Sequence, residues 1–402
     1  MNVLFLTLAK INTIEERGIY TDLLREFVKR GHKVFIVSPT ERKYNKPTTI
    51  NKKEDVTVLN VKTLNLQKTS ILEKGIGTLA LEHQYLKAIK KHFSNENFDL
   101  ILYSTPPITF TKVIQYIKRK HNAYSYLLLK DIFPQNAIDL NLIKNNGLIH
   151  KYFLKKEKKL YAISDTIGCM SLANKEYILK NNPTLPKEKV EVNPNSIFPL
   201  DVEDLSLEQK NAIREKHKLP LDKKIFIYGG NIGLPQGIDF LIKVLEKINN
   251  KDVHFLIVGS GTEYYKLEKW FNKMKPQNAS LISFLDKKDY DNLVNSCDLG
   301  LIFLDKRFTI PNFPSRLLSY LEMKLPVIAA TDKNSDIGKV IENNSCGFYV
   351  EAGNLESMEK AIDKVLYHSN IKILQNNAIK LLKEEYHVNN SYFLIKEKIK
   401  NV

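Results

Sequence analysis

Four glycines, at positions 229, 230, 233 and 237, bracket a short segment that runs Tyr228-Gly-Gly-Asn-Ile-Gly-Leu-Pro-Gln-Gly237. Without side chains, backbone N–H groups can approach a diphosphate, and a helix start beyond them favours negative charge. The spacing is neither GxGxxG nor the phosphate loop ending in Gly-Lys-Ser/Thr. A purely structural turn would use the same glycines. A second segment, Asn312-Phe-Pro-Ser-Arg-Leu-Leu-Ser-Tyr320, reads as a helix start, with Asn312 as cap and Pro314 in the first turn. Ser315 and Arg316 then present donors, and Arg316 could clamp phosphate oxygens in two-pronged fashion. A surface arginine on an ordinary helix is the plainer reading. A third position, Asp131, directly follows an apolar run, where a carboxylate can take a hydroxyl proton, orient a polar substrate or simply cap the next segment. Gly18, closing the loop after the first apolar run, and Gly259, closing a later one, complete the set.

The remaining chemistry-bearing residues do not assemble. The nine histidines show no HExxH or other ligand spacing, so no protein-bound metal is expected. Cys169, Cys297 and Cys346 form no CxxC pair and read as buried thiols in a reducing compartment. The formal charge of +16 is unevenly placed: residues 1–200 hold 32 Lys and Arg against 18 Asp and Glu. A basic half attracts something anionic, whether nucleic acid, membrane phospholipid or a phosphate-bearing lipid. Residues 144–161 form a basic amphipathic stretch in which Leu148, Ile149, Tyr152, Phe153 and Leu160 can share a helix face. Residues 68–92 repeat the pattern around Ile71, Leu72, Ile76, Leu79 and Leu86. Either could lie on an anionic membrane or pack on a core with a solvated basic back.

The elements that must position these residues alternate between short apolar runs and helical patterns. Val3–Thr7, Val34–Val37, Val56–Val61, Leu100–Tyr103 and Tyr124–Leu129 read as strands, with helices at 18–30, 71–93 and 108–120. The series restarts after residue 200. Strands are expected at Lys224–Tyr228, Val253–Val258, Ser280–Leu285, Leu299–Phe303 and Val327–Ala330, with helices at 238–248, 287–296, 314–323 and 355–367. Such alternation implies parallel sheets covered on both faces, and 402 residues suit two lobes of roughly 180–200 residues each. Asn193–Leu221, with prolines at 194, 199 and 220, holds the expected linker. No apolar run approaches a membrane-spanning length of about 18 residues. Open α/β sheets bind ligands beyond the carboxyl ends of their strands, which is where the glycine loops and Asp131 fall.

In this order, RGIYTDLLREFVKRGHKV, IFIYGGNIGLPQGIDFLI, FLIVGSG, ISFLDKKDYDNLVNSCDLGLI and the segment leading into PVIA resemble retaining glycosyltransferases of family 4. The resemblance implies the GT-B fold, an α/β architecture of two Rossmann-like lobes whose parallel sheets face an inter-lobe cleft. Residues 1–200 would be an acceptor-binding lobe and 201–385 a nucleotide-sugar-binding lobe. Residues 386–402 would be a helical tail packing back on the first. LLLKDIFPQNAIDLNLI, LYAISDTIGCMS and NFPSRLLSYLEMKLPVIAATDKNSDIG look like a subgroup that builds bacterial capsules and O-antigens, among them N-acetyl-L-fucosaminyltransferases acting on undecaprenyl-diphosphate-linked sugars.

That resemblance carries residue roles. Backbone groups of Phe284 and Leu285 would hold a uracil edge. Ser315, Arg316 and Leu317, with Phe313 and Pro314 beside them, would hold the donor diphosphate together with Gly18, Gly230, Asn231, Gly233, Gln236 and Gly259. Arg316 and Asp131 would be catalytic. The two glutamates that the broader family carries eight residues apart fall on Pro311 and Ser319, and the usual Arg and Lys of the glycine loop fall on Asn231 and Gln236. Arg316 is then the local candidate for balancing phosphate charge. The implied activity is metal-independent, cofactor-free transfer of a sugar, N-acetyl-L-fucosamine by the subgroup, from UDP to a lipid-linked sugar acceptor. It would proceed with retention, at the inner face of the cell membrane, with the basic lobe on the anionic surface. A UDP-sugar 2-epimerase of similar fold and a non-enzymatic nucleic-acid-binding protein are the competing classes. No RRM, KH or helix-turn-helix signature supports the latter.

Overall fold

A computed structural model describes residues 1–66, 71–368 and 370–400, apart from the side chains at 71, 72, 74 and 400. The chain divides into two compact units, Met1–Phe198 with His387–Val402, and Pro199–Tyr386.

The first unit begins β1 (Asn2–Leu6), α1 (Ile19–Lys29), β2 (Lys33–Glu41), β3 (Thr49–Lys53), β4 (Val56–Thr63) and α2 (Ile71–His92). It continues with β5 (Leu100–Ser104), α3 (Thr111–His121), β6 (Tyr124–Leu129), α4 (Gln135–Asp139) and α5 (Leu148–Ile163). It ends with β7 (Thr166–Cys169), α6 (Leu172–Asn181) and β8 (Val190–Val192). The eight strands lie in the order β3-β4-β2-β1-β5-β6-β7-β8. All pairs are parallel except β3 with β4. β3 is an exposed edge carrying Lys52 and Lys53, charges of the kind that discourage pairing with another chain. The interior strands are apolar on both faces because helices cover both. Phe5, Ile36 and Leu102 face α1, and Phe35 faces α2 through Phe93.

The second unit opens with α7 (Leu207–Lys216), β9 (Lys224–Asn231), α8 (Ile238–Lys247), β10 (Val253–Ser260) and α9 (Tyr264–Met274). Next come β11 (Ala279–Ile282), α10 (Lys287–Asn295), β12 (Leu299–Phe303), α11 (Arg316–Glu322) and β13 (Val327–Thr331). α12 (Ile337–Asn343), β14 (Gly347–Glu351), α13 (Leu355–Leu366) and α14 (Ile371–Glu385) close it. Its six strands are all parallel, in the order β11-β10-β9-β12-β13-β14. α7 is riveted to this sheet by buried Arg214, which donates to Ser296 O and to Asp298 Oδ2 at 2.6 Å. The last helix, α15 (Val388–Lys400), returns to the first unit, where Tyr392 packs edge-on against Phe27 and meets His32 Nε2 at 2.9 Å.

Several details differ from the sequence reading. Asn193 is no linker residue: it is fully buried and donates to Tyr126 Oη at 2.8 Å. The crossing between units falls at Phe198 and Pro199, inside Asn193–Leu221 where the linker was expected, although α7 within that stretch already belongs to the second unit. β11 stops at Ile282, so Phe284 stands in a loop with 76% of its surface exposed. Strands β3, β7 and β8 carry little sequence signal because they are short or polar, and β14, which reads GFYVE, is a further strand beyond those expected. In α5 the five apolar residues fall on one side of the helix, but only Leu160, near its end, is in the core, while Leu148, Ile149 and Tyr152, near its start, are exposed. Ile71 and Leu72 lie outside the described side chains. No helix among the described residues is long and apolar enough to cross a membrane.

Candidate active site

The carboxyl ends of β9 and β10 form the floor of the site in the second unit. The two strands stay paired beyond the usual strand length, with Gly229, Gly230 and Asn231 opposite Val258, Gly259 and Ser260. That closeness explains two glycines. Gly230 has φ +115°, and a Cβ on Gly259 would lie 1.8 Å from the Gly230 carbonyl oxygen. No side chain fits between backbones so near. Beyond Asn231 a single turn, Leu234–Gln236, leads into α8. Asp305 N donates to Pro235 O, tying this turn to the end of β12.

Arg316 is the cation of the site. It opens α11, but its side chain does not point out of the helix start. It turns back over β9, with Cζ 4.3 Å from the centroid of the Tyr228 ring. Nη2 donates to Gln236 Oε1 at 2.8 Å and to Asn231 O at 3.4 Å. Nη1 is buried with no hydrogen-bond partner. The groups around it are neutral: an amide, a carbonyl and the phenols of Tyr228, Tyr290 and Tyr320. Burial works against the guanidinium charge, but the Tyr228 and Tyr320 oxygens outweigh it and the net shift is upward. Tyr320 is fixed in turn by accepting from Gly229 N at 3.0 Å, and burial pushes the Tyr290 phenol up to about 12. An unpaired buried donor on a cation is costly unless an acceptor meets it, and a phosphate oxygen is the acceptor a guanidinium prefers.

The other expected donor-site residues are unequally placed. Gly230 lies beside Arg316, and Asn231 and Gln236 touch it. Gly233 begins the turn that Gln236 N closes onto its carbonyl at 3.0 Å. Helix α11 begins one turn later than its sequence suggests. Ser315 is its cap, with no side-chain capping bond, so neither Asn312 nor Pro314 has the expected role. Leu317 N donates back to Pro314 O at 3.3 Å, and its side chain is fully buried. Phe313 lies against Tyr386. Phe284 and Leu285 follow the end of β11, in the loop before α10. Gly18 lies in the first unit with an ordinary extended φ, and its N–H is taken by Asp22 Oδ1 at 3.0 Å.

In the first unit, Asp131 follows β6 by two residues. Thr105, at the end of β5, locks its backbone: Thr105 Oγ1 donates to Asp131 O and accepts from Lys130 N and Asp131 N. Asn136 Nδ2, on α4, donates to both carboxylate oxygens at 2.7 Å. Burial raises the Asp131 carboxyl to about 6, against the opposing pull of Asn136. Burial lowers the neighbouring Lys130 to about 7. A carboxylate near 6 is poised for proton transfer close to neutral pH. Sequence reasoning missed the residues that aim these groups. Tyr320 lies one turn after Arg316, Tyr228 precedes the glycines, and Asn136 lies five residues after Asp131, spacings that become signals only once α11 and α4 are placed.

The comparisons with known proteins fit this geometry. Residues 209–383 match the family model described as glycosyl transferases group 1. The probable glycosyltransferase WbjE of Pseudomonas aeruginosa is 20% identical over 74% of this chain and 73% of its own length. The putative colanic acid biosynthesis glycosyl transferase WcaI of Escherichia coli is 26% identical over 39% of each. Among solved structures, Anabaena HepE in complex with UDP superposes with a TM-score of 0.71 at 14% identity, covering 100% of both chains. The chain thus has the two-lobe α/β fold with parallel sheets found in GT-B glycosyltransferases, and most of its second unit, residues 209–383, is similar to the glycosyl transferases group 1 model.

Proposed function

We propose that the chain transfers a sugar from a UDP-sugar held by the second unit to a lipid-diphosphate-linked sugar recognised by the first, with retention of configuration, in the synthesis of a cell-surface polysaccharide. The observation that carries this reading is the Arg316 guanidinium, half-buried among neutral groups beside Gly230, with Nη1 fully buried and unpartnered. Such a donor, preorganised at the end of β9, would stabilise the charge that grows on a leaving diphosphate. Arg316, and no bound metal, supplies that charge in this reading. HepE, of the same fold, binds UDP, and WcaI takes its name from a polysaccharide pathway, which supports donor and product class alike. Asp131 would receive or orient the acceptor hydroxyl. N-acetyl-L-fucosamine is the favoured sugar, by the motif resemblance of residues 127–143 and 312–338.

A thermal-shift panel of UDP-, GDP- and dTDP-sugars tests the donor, followed by transfer to a synthetic lipid-diphosphate sugar. Stabilisation by UDP-sugars alone, and product formed only with acceptor, is the expected result. Release or epimerisation of the sugar without acceptor would replace transfer by epimerase chemistry.

A further inference from the structure

Three phenols stand around the Arg316 guanidinium, those of Tyr228, Tyr290 and Tyr320. Two of them spend their protons inside the protein. Tyr228 Oη donates to Asn231 O at 2.7 Å. Tyr320 Oη lies 3.2 Å from both Ile227 O and Leu301 O while it accepts from Gly229 N. Tyr290 Oη has no hydrogen-bond partner among the described residues.

The fold aims that hydroxyl. Tyr290, Leu293 and Val294 share the inward face of α10 at helical spacing, and the latter two are fully buried. The Tyr290 ring therefore lies on the end of β9, against Gly229. A Cβ on Gly229 would stand 2.0 Å from Tyr290 Oη and 2.8 Å from the ring. The φ of Gly229 is not in the left-handed region, so this phenol, and not backbone conformation, calls for glycine there. A Cβ on the next residue, Gly230, would stand 3.9 Å from Arg316 Nη2. The two glycines thus face the phenol and the guanidinium in turn. Tyr290 is half-buried, and burial keeps its phenol protonated at neutral pH.

The balance of hydrogen-bonding groups identifies the ligand. Arg316 Nη1 and Tyr290 Oη are donors left over, whereas Asn231 O and Gln236 Oε1 are acceptors already taken by Arg316. Asp291, next to Tyr290 in sequence, is paired with Lys287 at 2.7 Å. A sugar hydroxyl or an amide calls for an acceptor as well as a donor, but a phosphate oxygen calls for donors alone.

We propose that Tyr290 is a second diphosphate-binding residue: its Oη donates a hydrogen bond to an oxygen of the nucleotide-sugar diphosphate, alongside Arg316 Nη1. This deepens the proposed function and rests on its nucleotide-sugar reading. The diphosphate is then met by one cation and one neutral hydroxyl, and Gly229 is small to admit the phenol.

Ligand-observed NMR titration of the full chain with UDP and with uridine tests it, since the two differ only in the diphosphate. Tyr290→Phe keeps the ring on Gly229 and removes one oxygen, so the melting temperature should not change. Affinity for UDP should fall by about ten- to hundredfold, the range of a hydrogen bond to a charged group, while affinity for uridine stays the same. Gly229→Ala displaces the phenol by another route and should weaken UDP likewise. Combining the two should add little, because both remove the same bond. Undiminished UDP binding in Tyr290→Phe, equal losses for UDP and uridine, or fully additive losses in the double variant would overturn the Tyr290 role and leave the nucleotide-sugar reading standing. If the wild-type chain binds GDP or dTDP in place of UDP, the base named above is wrong, and the same comparison of that nucleotide with its nucleoside decides Tyr290. Wild-type binding of no nucleoside diphosphate would overturn both.

Discussion

The Arg316 guanidinium lies over the ring of Tyr228, with Cζ 4.3 Å from its centre, although 88 positions separate the two residues. Arg316 is thereby held flat against the end of β9, with one edge on Gln236 and the other, Nη1, unpartnered. Arg316→Ala is expected to lower kcat by about 100–1000-fold, the usual cost of removing one charge-stabilising donor. Lysine at this position should recover only part of it, because an ammonium lacks the planar fork. The melting temperature of the free protein should change little, since the variant also removes an unpaired buried donor. Near-wild-type turnover in Arg316→Ala would remove Arg316 from the mechanism.

Asp131 should impose the acidic limb of the pH–rate profile. With its carboxyl raised to about 6, the ionised base is lost as pH falls below that value, and kcat/KM should fall with it. Asp131→Asn should lower activity throughout and flatten that limb. Stability runs the other way. The folded-state value is above the ordinary one, so the native protein gains stability by proton uptake as pH falls from about 6 toward the unfolded value. Asp131→Asn should therefore be stabilising at pH 7.5, and its advantage should shrink below pH 6. A melting-temperature difference that does not vary with pH would contradict the raised carboxyl.

Gly259→Ala places a methyl group 1.8 Å from the Gly230 carbonyl, which cannot rotate away. The ends of β9 and β10 must part. A loss of about 1–3 kcal/mol in urea denaturation is expected, together with weaker UDP binding. Unchanged UDP affinity in a folded variant would mean that this end of the sheet is not the donor floor.

The Arg214–Asp298 pair, at 2.6 Å, joins a buried guanidinium to a half-buried carboxylate. Removing one partner, as in Arg214→Met, should cost about 3–5 kcal/mol, because Asp298 then loses one of its two cations while remaining largely out of water. Lys210, at 2.8 Å from the same carboxylate, should limit the damage. Adding Asp298→Leu should restore part of the loss. If the double variant is no better than the single one, the cost lies in packing and not in the stranded charge.

Chelation tests the role given to Arg316 from another side. Turnover should survive dialysis against EDTA and change little on adding Mg²⁺ or Mn²⁺, since in the proposed function the guanidinium would supply the positive charge at the diphosphate. Loss of activity restored by one metal would transfer that role to the ion.

Much of this architecture was legible in the order of residues. Runs such as Leu100–Ser104 and Leu299–Phe303 are apolar on both faces, which only a parallel sheet covered by helices on both sides satisfies. Their repetition on either side of residue 200 set two lobes, and strand-end positions singled out Gly230, Gly259 and Asp131. Strand β3 escaped because an exposed edge reading TINKK has no apolar signature, and β8 because three residues carry too little.

What the sequence by itself determined, then, was the pair of parallel sheets and which residues stand at their carboxyl ends, because burial on two faces writes itself into local composition. Only the tertiary structure decided what those residues do there. Arg316 faces inward because Tyr228 and Gln236 receive it, and Asp131 is raised to about 6 because folding takes its carboxyl out of water, against the opposing pull of the Asn136 amide. Side-chain direction and charge environment depend on neighbours brought together by folding, and spacing along the chain does not encode them.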